Sequence, residues 1–332
     1  MSSRSRVVRL LAPLVLPLLV AAPAAAGVIV VDDDGGAGVD YTDIPPAVAA
    51  AAVDDLILVH PGDYSAFTLD KGLRILGSAA GVHVATGSVV TGVLPKEIAV
   101  LAQLEVVDLE LRDCAGTVVL EQVRNRLPSK PSRPSFLTVD NCQDVRVRGS
   151  TLEGSTFSSS SYGGEYAADV DGSRIEVVQS SLRGNPGKGT DCGTGGPGGT
   201  GLSTWNAAWV HVAASDVEGG DGGYNAYSCP AFCNQGAGPG GDGIYLGGAS
   251  KLLLTGRDTN SVRGGHEGDG GACDCDGDPG TGLFVHASTA LYSGAQLFGG
   301  GSWCYGPGQA LSVTGGGSAT QVVPPDPLLE LQ

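Results

Sequence analysis

Eight cysteines, a run of carboxylates and a few aromatics are the residues of this chain that could do chemistry, and most fall in four glycine-rich segments. Gly184–Gly201 carries Cys192, Gly219–Gly243 carries Cys229 and Cys233, Gly264–Gly282 carries Cys273 and Cys275, and Gly299–Gly308 carries Cys304. One cysteine in each outer segment and two in each inner one is the distribution that links every segment to its neighbour. The expected bridges are Cys192 to Cys229 or Cys233, the other of that pair to Cys273 or Cys275, and the last to Cys304. Cys114 and Cys142, about one repeat apart, make a fourth. A Cys273–Cys275 bridge is strained by its short span, whereas Cys229–Cys233 is a real rival that would break the series. Zinc on Cys229, Cys233, Cys273, Cys275 and His266 is the further alternative, disfavoured in an oxidising compartment. Asp269, Asp274, Asp276 and Asp278 lie in the same loops. Carboxylates on glycine-rich turns suit Ca²⁺, which takes about 6–8 oxygen ligands. Neither an EF-hand loop nor the nine-residue calcium repeat is present, so solvated acidic loops are the plainer alternative. Tyr224, Tyr227, Trp303 and Tyr305, with Trp205 and Trp209 nearby, would stack on sugar rings if exposed and order the loops if buried.

The elements that position these residues repeat. Five short runs end in an apolar anchor and a near or adjacent glycine, with anchors Leu152, Leu182, Val217, Val262 and Leu297 spaced 30, 35, 45 and 35 residues apart. Such a period means stacked units, because one unit cannot bury its own apolar face. Alternation marks a strand before each anchor (Val145/Val147, Ile175/Val177, Val210/Val212, Leu252/Leu254). Another follows each loop: Leu137/Val139, Ala168/Val170, Leu202/Thr204, Ile244/Leu246, Leu283/Val285 and Leu311/Val313. A β-propeller is the structural rival, but its blades need short hairpin loops. The loops leave one corner of the coil and should stack on one side. Their glycines, among 54 in the chain, are expected to supply positive φ angles.

Arg4, Arg6 and Arg9, the apolar run from Leu10 to Ala22, and Ala24-Ala25-Ala26 make residues 1–26 a secretory signal peptide. No later run is apolar for long enough to span a bilayer. Removing the signal leaves 16 basic against 35 acidic residues, a net charge of −19 where the whole chain has −16. That balance excludes nucleic acid as a partner and repels polyanionic glycans unless a cation bridges the two. The expected organisation is a strand and capping helix over 27–54, coils over 55–318, and a Pro- and Leu-bearing tail or cap over 319–332. Thr42 or Asp43 can cap the helix, with Pro45 and Pro46 in its first turn.

The stretch from the helix through Asp55-Leu56-Ile57-Leu58-Val59, Pro61-Gly62-Asp63-Tyr64 and Leu73-Arg74-Ile75-Leu76-Gly77 resembles the N-terminal cap and first coil of the pectate-lyase-like right-handed parallel β-helix superfamily. The resemblance implies an all-β fold: a single-stranded right-handed parallel β-helix with an N-terminal capping helix and long Gly/Cys-rich loops on one side. It implies no single activity, since the superfamily holds lyases, hydrolases and non-catalytic surface proteins. The polygalacturonase-like motifs are absent. Arg126-Leu127-Pro128-Ser129-Lys130-Pro131 begins the lyase pattern Arg-x-Pro-x-x-Arg but ends in proline, so no catalytic role carries across; Arg124, Arg126, Lys130 and Arg133 remain a basic patch. The expectation is a secreted or cell-surface monomer, non-catalytic, that binds extracellular polysaccharide or another surface component, or serves a structural or adhesive role. The alternative is a polysaccharide lyase or glycoside hydrolase.

Overall fold

Strict alternation of apolar and polar residues sets the strands, and their even recurrence lets them stack in parallel. The computed structural model describes residues 26–125, 135–154, 164–189, 195–224, 236–269, 277–302 and 306–322. The expected signal peptide, apart from its last residue, and the tail from 323 lie outside them. The chain is a right-handed parallel β-helix, the usual hand for parallel crossovers. Each coil lays down one strand in each of three columns. Two columns join in a sheet of 18 strands and the third is a sheet of nine, called the second sheet below.

Register places like on like. Ile57, Ile75, Leu101, Leu120, Val147, Val177, Val212 and Leu254 form one inward row, and all eight are fully buried. The anchors Leu152, Leu182, Val217, Val262 and Leu297 form another. Leu109, Leu137, Ala168, Leu202, Ile244 and Leu283 form a third, on the second sheet. Each such side chain contributes roughly 1.5–3 kcal/mol by leaving water. At the N-terminal end Asp43 accepts the Ile44 amide and caps helix Ile44–Ala50. Its Ile44, Ala47 and Val48 are buried over the first rung. Gly62–Tyr64 is a short strand.

The corners explain the serines. Asp113, Asn141, Gly172, Ala207, Ala249 and Ala287 turn one corner with positive φ, and Gln122, Gly149, Gln179 and Ala214 turn another. Except at Val123 and Ala208, the next residue is polar or a thiol, points inward and joins a ladder. Ser180 Oγ accepts the Ser150 amide at 3.2 Å and donates to the Val178 carbonyl at 2.9 Å. Ser215 Oγ accepts the Ser180 amide, and Asn260 Oδ1 accepts the Ser215 amide. Cys114, Cys142, Ser173, Ser250 and Ser288 occupy the matching rungs of the other corner. Cys114 and Cys142, expected as a bridge, are free buried thiols here. Each does what serine does on its ladder, donating to the carbonyl two residues back, Arg112 and Asp140 respectively. The other six cysteines lie outside the described residues.

The glycine-rich loops differ from expectation in a way that changes what they are. Among their described legs only Gly306 has a positive φ. Instead, the outgoing legs 184–189, 219–224, 264–269 and 299–302 lie side by side, and so do the returning legs 195–201, 236–243, 277–282 and 306–310. Every third amide bonds within its layer, as in Gly187 to Asp221 and Gly222 to His266. The next amide bonds across to the other layer, in the series Gly199→Asn185, Gly220→Gly199, Gly241→Gly220, Gly265→Gly241, Gly280→Gly265 and Gly300→Gly280. A period of three without internal hydrogen bonds is the extended left-handed polyproline-type helix. Two layers of such legs make a sandwich, and glycine is needed because a Cβ would strike the facing layer: at Gly220 it would sit 1.8 Å from the Asn185 oxygen. The third residue of each triplet faces outward and varies freely: Pro186, Asp221 and His266 on one layer, Thr200, Asp242 and Thr281 on the other.

Candidate functional site

The sandwich splits the residues expected to hold calcium. Asp269 follows Gly268 on the outside of the outgoing layer, and Asp278 lies in a returning leg, where its carbonyl accepts the Gly240 amide. The two therefore sit on different layers; Asp274 and Asp276 fall outside the described residues. Of the expected sugar-stacking aromatics, Tyr224 is 57% exposed, and its ring packs on Gly189. Tyr227, Trp303 and Tyr305 fall outside the described residues. Among the described residues one carboxylate group, Asp32, Asp33 and Asp34, is close enough to hold an ion. Its members tie down the first coil: Asp32 meets His60 Nδ1 at 2.9 Å and Asp33 accepts the Asp63 amide.

The outer face of the second sheet presents a different set, built by strand alternation. Tyr245 lies between inward Ile244 and Leu246, and Phe284 between inward Leu283 and Val285. Trp205 ends the strand Leu202–Trp205 beside them. Register pairs Tyr245 with Phe284 and sets Trp205 diagonally across from Tyr245. The rings form a continuous ladder: Trp205 to Tyr245 at 4.8 Å and 38°, and Tyr245 to Phe284 at 5.5 Å and 9°. Trp205 is 39% exposed. The next coil offers only Ser312 beside Phe284, so the ladder ends on an uncovered ring face.

Carboxylates continue the same rows toward the N-terminus. One row runs Glu110, Thr138, Asp169, Ser203, Tyr245, and its neighbour runs Arg112, Asp140, Asp171, Trp205. Burial raises the Asp169 carboxyl above the ordinary range and the nearby Asp171 charge adds to it, while hydrogen bonds from Ser203 and Trp205 pull the other way. Its Oδ1 is buried with no hydrogen-bond partner among the described residues. Asp140 is raised by burial and then by Asp171, Asp113 and Glu110. Tyr166 is raised by burial, then by Asp169 and Tyr245. Arg112, 3.9 Å from Glu110, is the one cation in these rows. The face is thus flat, acidic and aromatic. The half-exposed Trp205 and the uncovered end face of Phe284 can pack on the apolar face of a sugar ring while the carboxylates accept hydroxyl or ammonium hydrogens.

A hollow of about 330 Å³ between Ala79–Gly81 and Gln103–Glu105 also holds Arg124. Its carboxylate, Glu105, is tied to His83 along the stack. His83 bridges Asp63 at 3.4 Å and Glu105 at 3.1 Å, and Arg124 pairs in register with Glu105. It brings one carboxylate and one guanidinium together, not the paired carboxylates of glycoside hydrolysis. Of the basic patch, Arg126, Lys130 and Arg133 lie outside the described residues.

No protein-family model matches the chain, and no curated protein matches it in sequence. Among solved structures the chain is similar to a pectate lyase, at 13% identity and a TM-score of 0.41, over 90% of this chain and 78% of that one. It is also similar to the pectin methylesterase of Aspergillus niger, at 13% identity and 0.32, over 90% and 87%. A pectin methylesterase solved with a hexasaccharide is similar at 12% identity and 0.29, over 93% and 96%. Likeness at this level says nothing of chemistry.

Proposed function

We propose that this is a non-catalytic, secreted or cell-surface β-helix protein that holds a polysaccharide along the outer face of its second sheet. The observation that carries the reading is the Trp205–Tyr245–Phe284 ladder, a flat strip of stacked rings on a surface strand row. Parallel stacking aligns the strip with the coil axis, so a polymer rather than a single sugar matches its length. Glu110, Asp140, Asp169 and Asp171 make the same face a poor surface for a polyuronate and a good one for a neutral or amino-bearing glycan. A polyanion would be held only through a bridging cation, as the overall charge implies.

A carbohydrate-active enzyme, lyase or hydrolase, is the second reading, favoured by Asp169. A buried carboxyl raised above its usual range beside tyrosines is the form a general acid takes. The experiment is a polysaccharide panel assayed for binding and for new chain ends, with Ca²⁺ and with chelator. Binding of neutral or amino-bearing polymers without cleavage supports the first reading. Cleavage of any polymer, lost in Asp169→Asn, replaces it with the second.

A further inference from the structure

The corner ladder holds two nucleophiles that polysaccharide binding does not use. Cys114 and Cys142 are both free, 0% and 2% exposed. They stand on adjacent coils in register: Arg112 pairs with Asp140 just before them, and the Gln143 amide bonds to the Cys114 carbonyl at 2.8 Å. Neighbouring strands lie about 4.8 Å apart, inside the roughly 4.4–6.8 Å Cα separation a disulfide spans. Both side chains point inward at the same corner. We propose that Cys114 and Cys142 are a redox-active pair that closes to a coil-to-coil disulfide by exchange with a small-molecule or protein disulfide.

Reactivity and access both fit. The contact between the two sulfur groups brings Cys114 down to about 7 and pushes Cys142 up. The pair therefore supplies one thiolate near neutral pH and one proton-bearing partner. Cys142, though not Cys114, borders a surface hollow of about 380 Å³ with Asn141, Gly172, Arg174 and Trp209, and because both thiols are buried a reagent reaches the pair when that corner opens locally. One thiolate attacks a sulfur of the disulfide reagent and releases the first reagent thiolate. The second protein thiol, on losing its proton to that leaving group, attacks the mixed disulfide and releases the second. Two protein thiols are oxidised to one disulfide, and one reagent disulfide is reduced to two thiols.

The ladder supplies the control substitution, because serine occupies the equivalent rungs at 173, 250 and 288. The full chain is equilibrated in oxidised and reduced glutathione at stepped ratios, quenched with an alkylating agent in denaturant, and mapped by mass spectrometry without reduction. A Cys114–Cys142 linked peptide, lighter by two hydrogens, is expected to rise with the oxidised fraction. Oxidation is expected to raise Tm by roughly 5 °C in the native chain and to leave that rise out of Cys114→Ser and Cys142→Ser. Both cysteines alkylated at every ratio would overturn the proposal. So would either cysteine linked to one of the loop cysteines instead, or an equal Tm rise in the serine variants.

Discussion

Replacing Gly241 by alanine tests whether the loops are the packed sandwich described above. The added Cβ would lie 2.1 Å from the Gly199 oxygen and 2.6 Å from its carbon. Real Cβ atoms keep at least 3.0 Å, so the legs must part by about 1 Å, on overpacking grounds a cost of about 1–3 kcal/mol. Parting strains the bonds that Gly241 makes on either side, its amide to Gly220 and its carbonyl from Gly265, both 2.8 Å. Each is worth about 1 kcal/mol net. The expected loss is about 2–4 kcal/mol, or roughly 3–6 °C in Tm for a domain of this size. Thr200→Ala, on the outward position of the same lattice, is the control and should stay within about 0.5 kcal/mol of the native chain. Thermal unfolding followed by far-UV circular dichroism gives the comparison, and amide exchange at residues 241 and 265 localises it. A Gly241→Ala chain as stable as Thr200→Ala, with both amides still protected, would refute the sandwich.

Further outcomes follow from the other elements. Ser180→Ala removes the acceptor of the Ser150 amide and a donor to Val178, so chemical denaturation should show a loss of about 1–3 kcal/mol. Asp140, Asp169 and Asp242 are raised chiefly by burial. The folded chain therefore holds their protons to higher pH than the unfolded one, and stability falls as pH rises through the folded values. Tm in low salt should climb as pH drops from 7 toward the unfolded value of about 4, and Asp169→Asn should flatten that climb; an unchanged slope in the variant would count against the assignment. Trp205→Ala should weaken polysaccharide binding about tenfold, the loss of roughly 1.4 kcal/mol of stacking, read by affinity electrophoresis.

Much of the coil was legible because its period is written in single residues. Leu152, Leu182, Val217, Val262 and Leu297 fall on one another in register, and the strands expected after each loop are the strands of the second sheet. The sandwich was not, because glycine was read for its backbone freedom when its missing Cβ was what mattered. The signal was present as a period of three in Gly219-Gly220-Asp221-Gly222-Gly223-Tyr224 and Gly264-Gly265-His266-Glu267-Gly268. The aromatic face was missed for a similar reason. Alternation sets Ile244/Leu246 and Leu283/Val285 inward, and the residues between them, Tyr245 and Phe284, then have to face outward together. Loops of unequal length hid that they are neighbours.

The most direct test of the polysaccharide face is calorimetric titration of the full chain, native and Trp205→Ala/Tyr245→Ala, with a neutral, an amino-bearing and a polyuronate polymer of matched length. The account predicts binding of a neutral or amino-bearing polymer in chelator, little or none of the polyuronate, and loss of binding in a double variant that keeps the far-UV circular dichroism of the native chain. Undiminished binding by the double variant, or preference for the polyuronate in chelator, would contradict it.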